Sequence, residues 1–229
     1  MRLRKWILCI VAISFAALSM SLGFWQLRRL AQRRQHNALL ASHRFAREVE
    51  LDSLPADTSA AHFRRVHLRG TYDYPNEIVL TLRGRSGSPG VNILTPLKRP
   101  GSDTAVLVNR GWVYSPDGVT IDTKPWREAD TLNGNGFVET FPTKGPFASP
   151  NPARPRSFRR LDRAELVRVF PYPIARYYVV LTDSASSPEI PPRVEPSSLD
   201  EGPHRAYAIQ WFSFAAIAII GQIILLRRL

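Results

Sequence analysis

Two long stretches without a charged residue, one near each end of the chain, restrict the fold more than any other feature. The first runs for 22 residues from Trp6 to Leu27, and the second for 21 residues from Ala206 to Leu226. At about 1.5 Å per residue, each helix would be long enough to cross the roughly 30 Å hydrocarbon core of a bilayer. These lengths disfavour a freely soluble fold and predict transmembrane helices over residues 6–27 and 204–226.

The first stretch has two interpretations. A basic start and small residues from Ser19 to Ser21 are also features of cleaved signal peptides, whose apolar cores run for about 7 to 15 residues. Here the apolar run continues through Phe24 and Trp25, which are aromatic residues typical of membrane interfaces. We therefore favour a retained anchor. Residues 1–5 and 227–229 then lie on one side of the membrane and residues 28–203 on the other. Basic residues flank the first span on both sides, so charge alone leaves the orientation undecided.

The charge of the chain does not indicate a nucleic-acid partner. The formal net charge is +12, from 31 basic and 19 acidic residues. The surplus is scattered and accompanies no nucleic-acid-binding motif, and two membrane spans make such a partner a poor expectation. The single cysteine, Cys9, lies in the first span, so the middle of the chain cannot form an internal disulfide.

Small and polar residues form a stripe on each predicted span, which indicates a packed two-helix hairpin because close helix packing in lipid relies on small side chains. On the first helix the predicted stripe comprises Ser14, Ala17, Ser21 and Trp25. On the second it comprises His204, Ala208, Trp211, Ala215, Ala218 and Gln222.

The middle of the chain favours β structure. Residues 28–47 keep a helical spacing and predict a basic extension of the first span. Beyond it, alternating or apolar runs separated by glycine and proline predict strands over residues 65–69, 77–82, 91–97, 104–108, 135–139 and 177–182. One short helix is predicted around residues 161–169, with Asp162 as its cap. The predicted fold class is a membrane protein of α+β type, in which two transmembrane helices flank an antiparallel β-rich barrel or sandwich.

The residues do not form a recognisable catalytic set. The sequence has no Gly-x-Ser-x-Gly elbow, phosphate-binding glycine loop or His-Glu-x-x-His pair, and its carboxylates are dispersed. We therefore expect a protein that is not an enzyme, and a membrane-anchored enzyme is the more distant alternative.

Three parts of the sequence carry short motifs. The string LGFWQLRRL carries Gly23, Trp25, Gln26 and Arg29. The strings GVNILTPL and VLVNRGWV carry Thr95, Pro96, Asn109, Arg110, Gly111 and Trp112. The string HRAYAIQWFSFA carries His204, Tyr207, Ala208, Gln210, Trp211 and Phe212. Taken together and in this order, the motifs resemble the Surfeit locus protein 1 family of cytochrome c oxidase assembly factors. The resemblance extends from about residue 22 to residue 215 and is only general between residues 115 and 200.

The resemblance implies an assembly role in a bacterial inner membrane, with both termini in the cytoplasm and the middle domain in the periplasm. The absence of a transit peptide before the first span favours a bacterial rather than a mitochondrial member. It further implies that the protein binds haem a and assists its delivery to the catalytic subunit of the oxidase, with haem a synthase as a second partner. The alternative is a membrane scaffold that holds oxidase subunits and binds no haem.

The resemblance also suggests site residues. His204 is the expected iron ligand, and the other expected haem contacts are Tyr207, Trp211, Trp25 and Arg29. Arg110, Gly111 and Trp112 are the expected partner-binding surface. Structural alternatives stay open for His204, for Trp25 and Trp211, and for residues 110–112. His204 and the tryptophans of the spans would also suit a membrane boundary, and a strand that turns at Gly111 would place Trp112 in the core.

Overall fold

The computed structural model describes residues 2–54, 58–142, 154–183, 190–196 and 198–228. The chain divides into two compact units. One, the helical unit, comprises Met1–Leu40 and Ser198–Leu229, and the other, the β unit, comprises Ala41–Ser197.

The helical unit is built from two long helices. Helix α1 spans Arg2–Arg44 and helix α4 spans His204–Arg228. Both are long and apolar enough to cross a membrane. In α1 the predicted span and the predicted basic extension form one continuous helix, which ends at Arg44 rather than at residue 47. The chain is therefore a membrane protein, and α4 begins at the residue where the second span was predicted to start.

The packed face of α4 agrees with the predicted stripe, because Ala208 and Ala215 are buried. The face predicted for α1 is wrong, since Trp25 and the other members of its stripe are exposed. The buried row of α1 comprises Ala16, Ser19, Gly23, Gln26 and Leu30. Two rows of small residues lie side by side on this helix, and the row with Gly23 allows the closer approach because the ring of Phe212 lies against that glycine.

In the described segments of the β unit, the chain forms eight strands and two short α-helices. The strands are β1 Val49–Glu50, β2 Arg65–Tyr72, β3 Ile78–Leu80, β4 Gly90–Lys98, β5 Ala105–Tyr114, β6 Thr131–Thr140, β7 Ser157–Phe158 and β8 Ile174–Leu181. The helices are α2 Thr58–Ala61 and α3 Arg163–Val169. Six strands match the predicted ones, whereas β1 and β7 are only two residues long and carry no alternation that a sequence pattern could reveal. Asp162 caps α3 as predicted, since its Oδ1 accepts a hydrogen bond from the Ala164 N–H at 2.8 Å.

The strands form one sheet in the order β1-β2-β6-β8-β5-β4-β3-β7, and an additional pairing of β2 with β4 closes it. Of the two predicted alternatives, a barrel or a sandwich, the β unit therefore forms the barrel. Its pairing is antiparallel except for three pairs, β1 with β2, β3 with β7, and β5 with β8. The long crossover from β5 through β6, β7 and α3 to β8 permits the parallel pair, because parallel neighbours need more than a tight turn.

Closure of the barrel depends on a glycine. In β2, Thr71 pairs with Lys98 of β4, and the preceding residue is Gly70. A Cβ atom at Gly70 would overlap the backbone carbonyl oxygen of Lys98. The two strands therefore approach this closely only because residue 70 has no side chain.

Apolar side chains fill the barrel and a second layer against α3. The barrel cluster includes Val66, Leu68, Val106, Val108 and Val138. The second cluster includes Ile78, Leu94, Leu107, Phe158 and Leu166. Alternation along the strands sends side chains to opposite faces, so β5 contributes Val106 and Val108 to one cluster and Leu107 to the other.

Candidate functional site

The helical unit contains a pocket of about 420 Å³ formed by α1 and the segment that leads into α4. The lining residues are Arg29, Gln32, Arg33, His36, Asp200, Glu201, Gly202 and His204. The four from α1 follow one another at helical spacing, so they lie on one face of the helix. The pocket volume lies within the range of about 300 to 1,000 Å³ that is usual for small-molecule sites.

The α1 extension fixes the segment before α4 through polar contacts. The side-chain amide of Asn37 donates to the carbonyl oxygens of Leu199 at 2.9 Å and Asp200 at 2.8 Å. Arg34 donates to both carboxylate oxygens of Glu201, at 2.7 and 2.9 Å. This hydrogen-bonded ion pair lowers the pKa of Glu201 below its ordinary value. The rim of the pocket is therefore held by residues of both chain segments.

His204 is the first residue of α4, and its orientation is defined by Gln26. The imidazole Nδ1 lies 2.8 Å from the side-chain oxygen Oε1 of Gln26, which is buried in the face of α1 packed against α4. An amide oxygen only accepts hydrogen bonds, so Nδ1 must carry the proton. The neutral imidazole then has its free lone pair on Nε2.

Gly202 lies beside that second nitrogen. Gly202 has a backbone φ of 67° and lies next to the imidazole, so that a Cβ added there would stand 3.7 Å from Nε2. Glycine suits this position because a left-handed backbone conformation is unfavourable for other residues. A residue other than glycine at position 202 would therefore bring its side chain into contact with the Nε2 edge of His204.

This arrangement can bind a metal-centred ligand that carries acidic groups. A neutral imidazole nitrogen is a common ligand of iron, and guanidinium groups pair with carboxylates. Arg29 and Arg33 supply such groups within the same pocket. The described residues include no cluster of three or more His, Cys, Asp or Glu side chains able to hold a metal ion on their own.

Only part of the predicted haem site is brought together. His204 and Arg29 line the pocket, whereas Trp25, Tyr207 and Trp211 do not. Trp211 lies two turns further along α4, about 10 Å from His204 along the helix axis, while the pocket extends from His204 towards residue 200. Trp25 precedes Gln26, so it points about 100° away around α1, and 48% of its surface is exposed.

Sequence reasoning missed several residues of this pocket. They are Gln26, which contacts His204, and the lining residues Gln32, Arg33, His36 and Gly202. One signal was available, because Gln26 is the only side-chain amide in the uncharged stretch that ends at Leu27. A polar side chain is costly in a membrane span unless it has a partner, and here the partner is the histidine.

The predicted partner-binding residues occupy different environments in the β unit. The guanidinium of Arg110 is fully buried, with Nη2 2.6 Å from Glu77 Oε2 and Nη1 3.3 Å from Glu128 Oε1. Gly111 lies against the backbone carbonyls of the Pro191–Pro192 segment. Arg110 therefore cannot itself contact a partner at the surface of this unit. Arg110 is the extra residue of a β-bulge opposite Ile93 and Leu94, and this bulge directs its side chain towards the interior.

Trp112 differs from its neighbours because it lines a groove of about 530 Å³. Its indole N–H donates to the carbonyl oxygen of Arg83 at 2.7 Å, and the guanidinium of Arg85 lies 5.9 Å from the ring centre. The alternative of a strand that ends at Gly111 is wrong, because β5 continues to Tyr114. Of the three predicted residues, Trp112 is the one that lines a surface groove.

These features define a class of protein: a membrane protein in which two long helices precede and follow a β-barrel unit in the sequence, and in which those helices form a pocket where a buried amide orients the imidazole of His204. The model of the SURF1 family matches residues 13–216. The chain therefore belongs to the SURF1 family.

Individual relatives agree with this assignment. The chain is 31% identical to Surfeit locus protein 1 of Takifugu rubripes over 124 residues, which cover 48% of this chain and half of that protein. It is 23% identical to a SURF1-like protein of Monosiga brevicollis, over 94% of this chain and 86% of the relative. It is 25% identical to a SURF1-like protein of Rickettsia felis, over 95% of this chain and 96% of the relative.

Proposed function

We propose that the protein is an assembly factor for haem-copper cytochrome c oxidase that binds haem a and assists its delivery to the catalytic subunit. The observation that carries the proposal is the orientation of His204, whose Nδ1 is engaged by Gln26 while Nε2 is left as the free nitrogen beside Gly202. Membership of the SURF1 family supports the oxidase context. In this role the protein acts without catalysing a reaction.

The residues of the pocket fit such a ligand in three respects. His204 offers one nitrogen lone pair, which suits an iron whose remaining ligands come largely from a porphyrin. Arg29 and Arg33 lie on one face of α1 within the same pocket and suit the two carboxylates of a haem. Gly202 places no side chain beside Nε2.

Each group has a defined task in this proposal. Haem a would supply an iron able to accept an imidazole nitrogen, and His204 would provide that nitrogen. Gln26 holds the imidazole of His204 in one tautomer, and the arginines of α1 hold carboxylates at the rim. The exposed position of Arg29, Arg33 and His36 leaves the pocket accessible from its α1 side, which suits a cargo that is taken up and passed on.

The cellular context belongs to the same proposal. The two apolar helices are inserted in a bacterial inner membrane, with both termini in the cytoplasm and the β unit in the periplasm. The partners are the catalytic subunit of the oxidase, which receives the haem, and haem a synthase, which supplies it. The membrane itself is the third partner, and nucleic acid is not one.

An optical spectrum tests the haem-binding proposal. The full chain is produced together with the enzymes of haem a synthesis, purified in detergent and compared with His204→Ala. We expect a haem a spectrum in the wild-type protein that is lost or shifted in the variant. The control is His43→Ala, which removes an imidazole of the β unit whose Nδ1 lies 3.0 Å from the His62 carbonyl oxygen. Equal haem spectra in the wild type and His204→Ala would refute the proposal.

The groove at Trp112 favours the second candidate function, a scaffold that holds oxidase subunits without binding haem. The groove is large enough for a peptide segment and is lined by Arg83, Arg85 and Trp112. Under this alternative, Arg85→Glu lowers oxidase assembly while His204→Ala does not. Arg168→Glu, which reverses a charge on α3 that is not part of the groove, is the control.

A further inference from the structure

The bond between Gln26 and His204 connects α1 to α4 next to the pocket. The imidazole Nδ1 and the amide Oε1 are 2.8 Å apart, and only 8% of the surface of Gln26 is exposed. A buried side-chain amide costs free energy unless its polar atoms are paired. In the described part of the chain, Gln26 is the only side-chain amide of the first apolar stretch, and it pairs with His204 of the pocket.

Two carboxylates nearby are engaged elsewhere. The carboxylate of Glu201 binds Arg34. The carboxylate of Asp200 accepts from the backbone N–H of Gly202 at 2.8 Å and from the hydroxyl of Ser198 at 3.1 Å. The acceptor that orients His204 is therefore a neutral amide, although two anionic acceptors lie on the same rim.

The charge of that acceptor matters for the metal bond. A hydrogen-bond partner on the far nitrogen of a ligating histidine fixes its tautomer and raises its basicity, and a carboxylate does so more strongly than a neutral group. A carboxylate would therefore strengthen the bond from Nε2 to iron. A neutral amide orients the ring and gives a weaker bond, which suits a ligand that has to be released.

We infer that Gln26 is a positioning residue that holds His204 in the Nδ1–H tautomer and keeps the Nε2–iron bond weak enough for transfer. This inference rests on the proposed haem-binding function. In this inference, the Gln26 amide of α1 selects the tautomer of His204 and sets the strength of the Nε2–iron bond. His204 of α4 forms that bond.

The first measurement needs no haem. Long-range ¹H–¹⁵N NMR correlations of the detergent-solubilised full chain, at about pH 8 where an ordinary histidine is neutral, report which nitrogen of His204 carries the proton. We expect the Nδ1–H form in the wild type and in Gln26→Glu, and a mixture of tautomers in Gln26→Leu. The same tautomer populations in the wild type and Gln26→Leu would overturn the inference.

The second measurement is a titration of the apo-protein with ferric haem a, followed by its absorption. We expect Gln26→Leu to weaken binding by about 10- to 100-fold, the usual effect of losing such a partner of a metal ligand. Gln26→Glu should bind at least as tightly as the wild type and release the haem more slowly. Faster release from Gln26→Glu than from the wild type would overturn the claim that the neutral amide weakens the bond.

Two controls separate positioning from packing. Metal-free protoporphyrin IX cannot bond to Nε2 through iron, so its affinity should be the same for the wild type and Gln26→Leu. Gln222→Leu removes another bond between the two helices, from the Gln222 amide to Cys9 Sγ at 2.8 Å, and should leave haem a affinity unchanged. Equal losses for both porphyrins, or for both glutamine variants, would mean that Gln26 only packs the helices, and would overturn the inference.

The two proposals fail in different ways. If the wild type binds no haem a but Gln26→Leu changes the tautomer of His204, the haem-carrier function is refuted while the positioning by Gln26 stands for another ligand. If the wild type binds haem a and Gln26→Leu changes neither tautomer nor affinity, the function stands and the role of Gln26 is refuted.

Discussion

Replacement of Arg110 by methionine tests the buried ion network of the β unit. The guanidinium is fully buried and donates to Glu77 at 2.6 Å, to the Thr95 hydroxyl at 2.8 Å and to the Trp126 carbonyl oxygen at 2.5 Å. It also lies 3.3 Å from a carboxylate oxygen of Glu128. The methionine variant keeps an apolar side chain in place and removes the charge.

The size of the effect follows from which carboxylate loses its cation. Glu128 keeps a second cation, because Arg193 binds both of its oxygens, at 3.0 and 2.7 Å. Among the residues that the structure describes, the carboxylate of Glu77 keeps only the hydroxyl of Thr95, at 2.5 Å. One buried carboxylate is therefore left without a cation, and breaking a buried pair in this way costs about 3 to 5 kcal/mol. That is a large share of the roughly 5 to 15 kcal/mol that stabilises a typical domain.

Urea unfolding of the detergent-solubilised chain, followed by tryptophan fluorescence, measures this cost. We expect Arg110→Met to lower the unfolding free energy by about 3 to 5 kcal/mol. Arg168→Met is the control, since its side chain is 74% exposed and pairs with Glu165 on the surface; its effect should be within about 0.5 kcal/mol.

A double variant checks the mechanism of the loss. Glu77→Gln removes the charge that Arg110 neutralises, so the double variant with Arg110→Met should cost less than the sum of the single variants, by about 0.5 to 3 kcal/mol. Additive costs, or an Arg110→Met loss below about 1 kcal/mol, would refute the argument from the buried pair. The test also bears on partner binding, because a loss of oxidase assembly in an Arg110 variant would then follow from an unstable β unit.

Two further changes probe the barrel. Burial by itself raises the pKa of Asp73, but hydrogen bonds from Lys98 and Tyr172 contribute to holding it below the ordinary value. A carboxylate whose pKa is lowered by folding stabilises the folded protein. This stabilisation is fully present above an unfolded pKa of about 3.9 and is lost as the pH falls through the lower folded pKa. The unfolding free energies of the wild type and Asp73→Asn, measured with urea, should therefore converge at low pH. A difference between these free energies that does not change with pH would contradict this. Gly70→Ala, whose Cβ overlaps the Lys98 carbonyl, should cost about 1 to 3 kcal/mol. By contrast, Gly84→Ala, with 3.8 Å to its nearest neighbour, should be nearly neutral, and equal effects would refute the role of Gly70 in closure.

Local patterns in the chain were sufficient to predict most elements of the fold. The uncharged stretches predicted both long helices, because crossing a bilayer requires a continuous apolar run that is visible without any contact information. Alternation and turn residues predicted the six longer strands, and the position of Asp162 predicted the start of α3. The three strings that resemble the Surfeit locus protein 1 family led to the family that the comparisons then established.

Contacts between distant residues could not be predicted in the same way. Arg110 lies in an apolar strand whose pattern does not reveal the bulge that turns it inwards towards Glu77. The face of α1 that packs against α4 was predicted wrongly, because two neighbouring rows of small residues satisfy the same spacing and only the partner helix distinguishes them.

The sequence by itself determined that this protein has two membrane-length helices, a β-rich middle and a histidine at the start of the second helix. Only the tertiary structure decided that β2 closes on β4 past Gly70, and that Gln26 meets His204 across 178 positions of the chain. The physical reason is range: hydrophobic periodicity and capping depend on neighbours within one or two helical turns, whereas barrel closure and the choice of tautomer depend on which distant backbone and side-chain atoms come into contact.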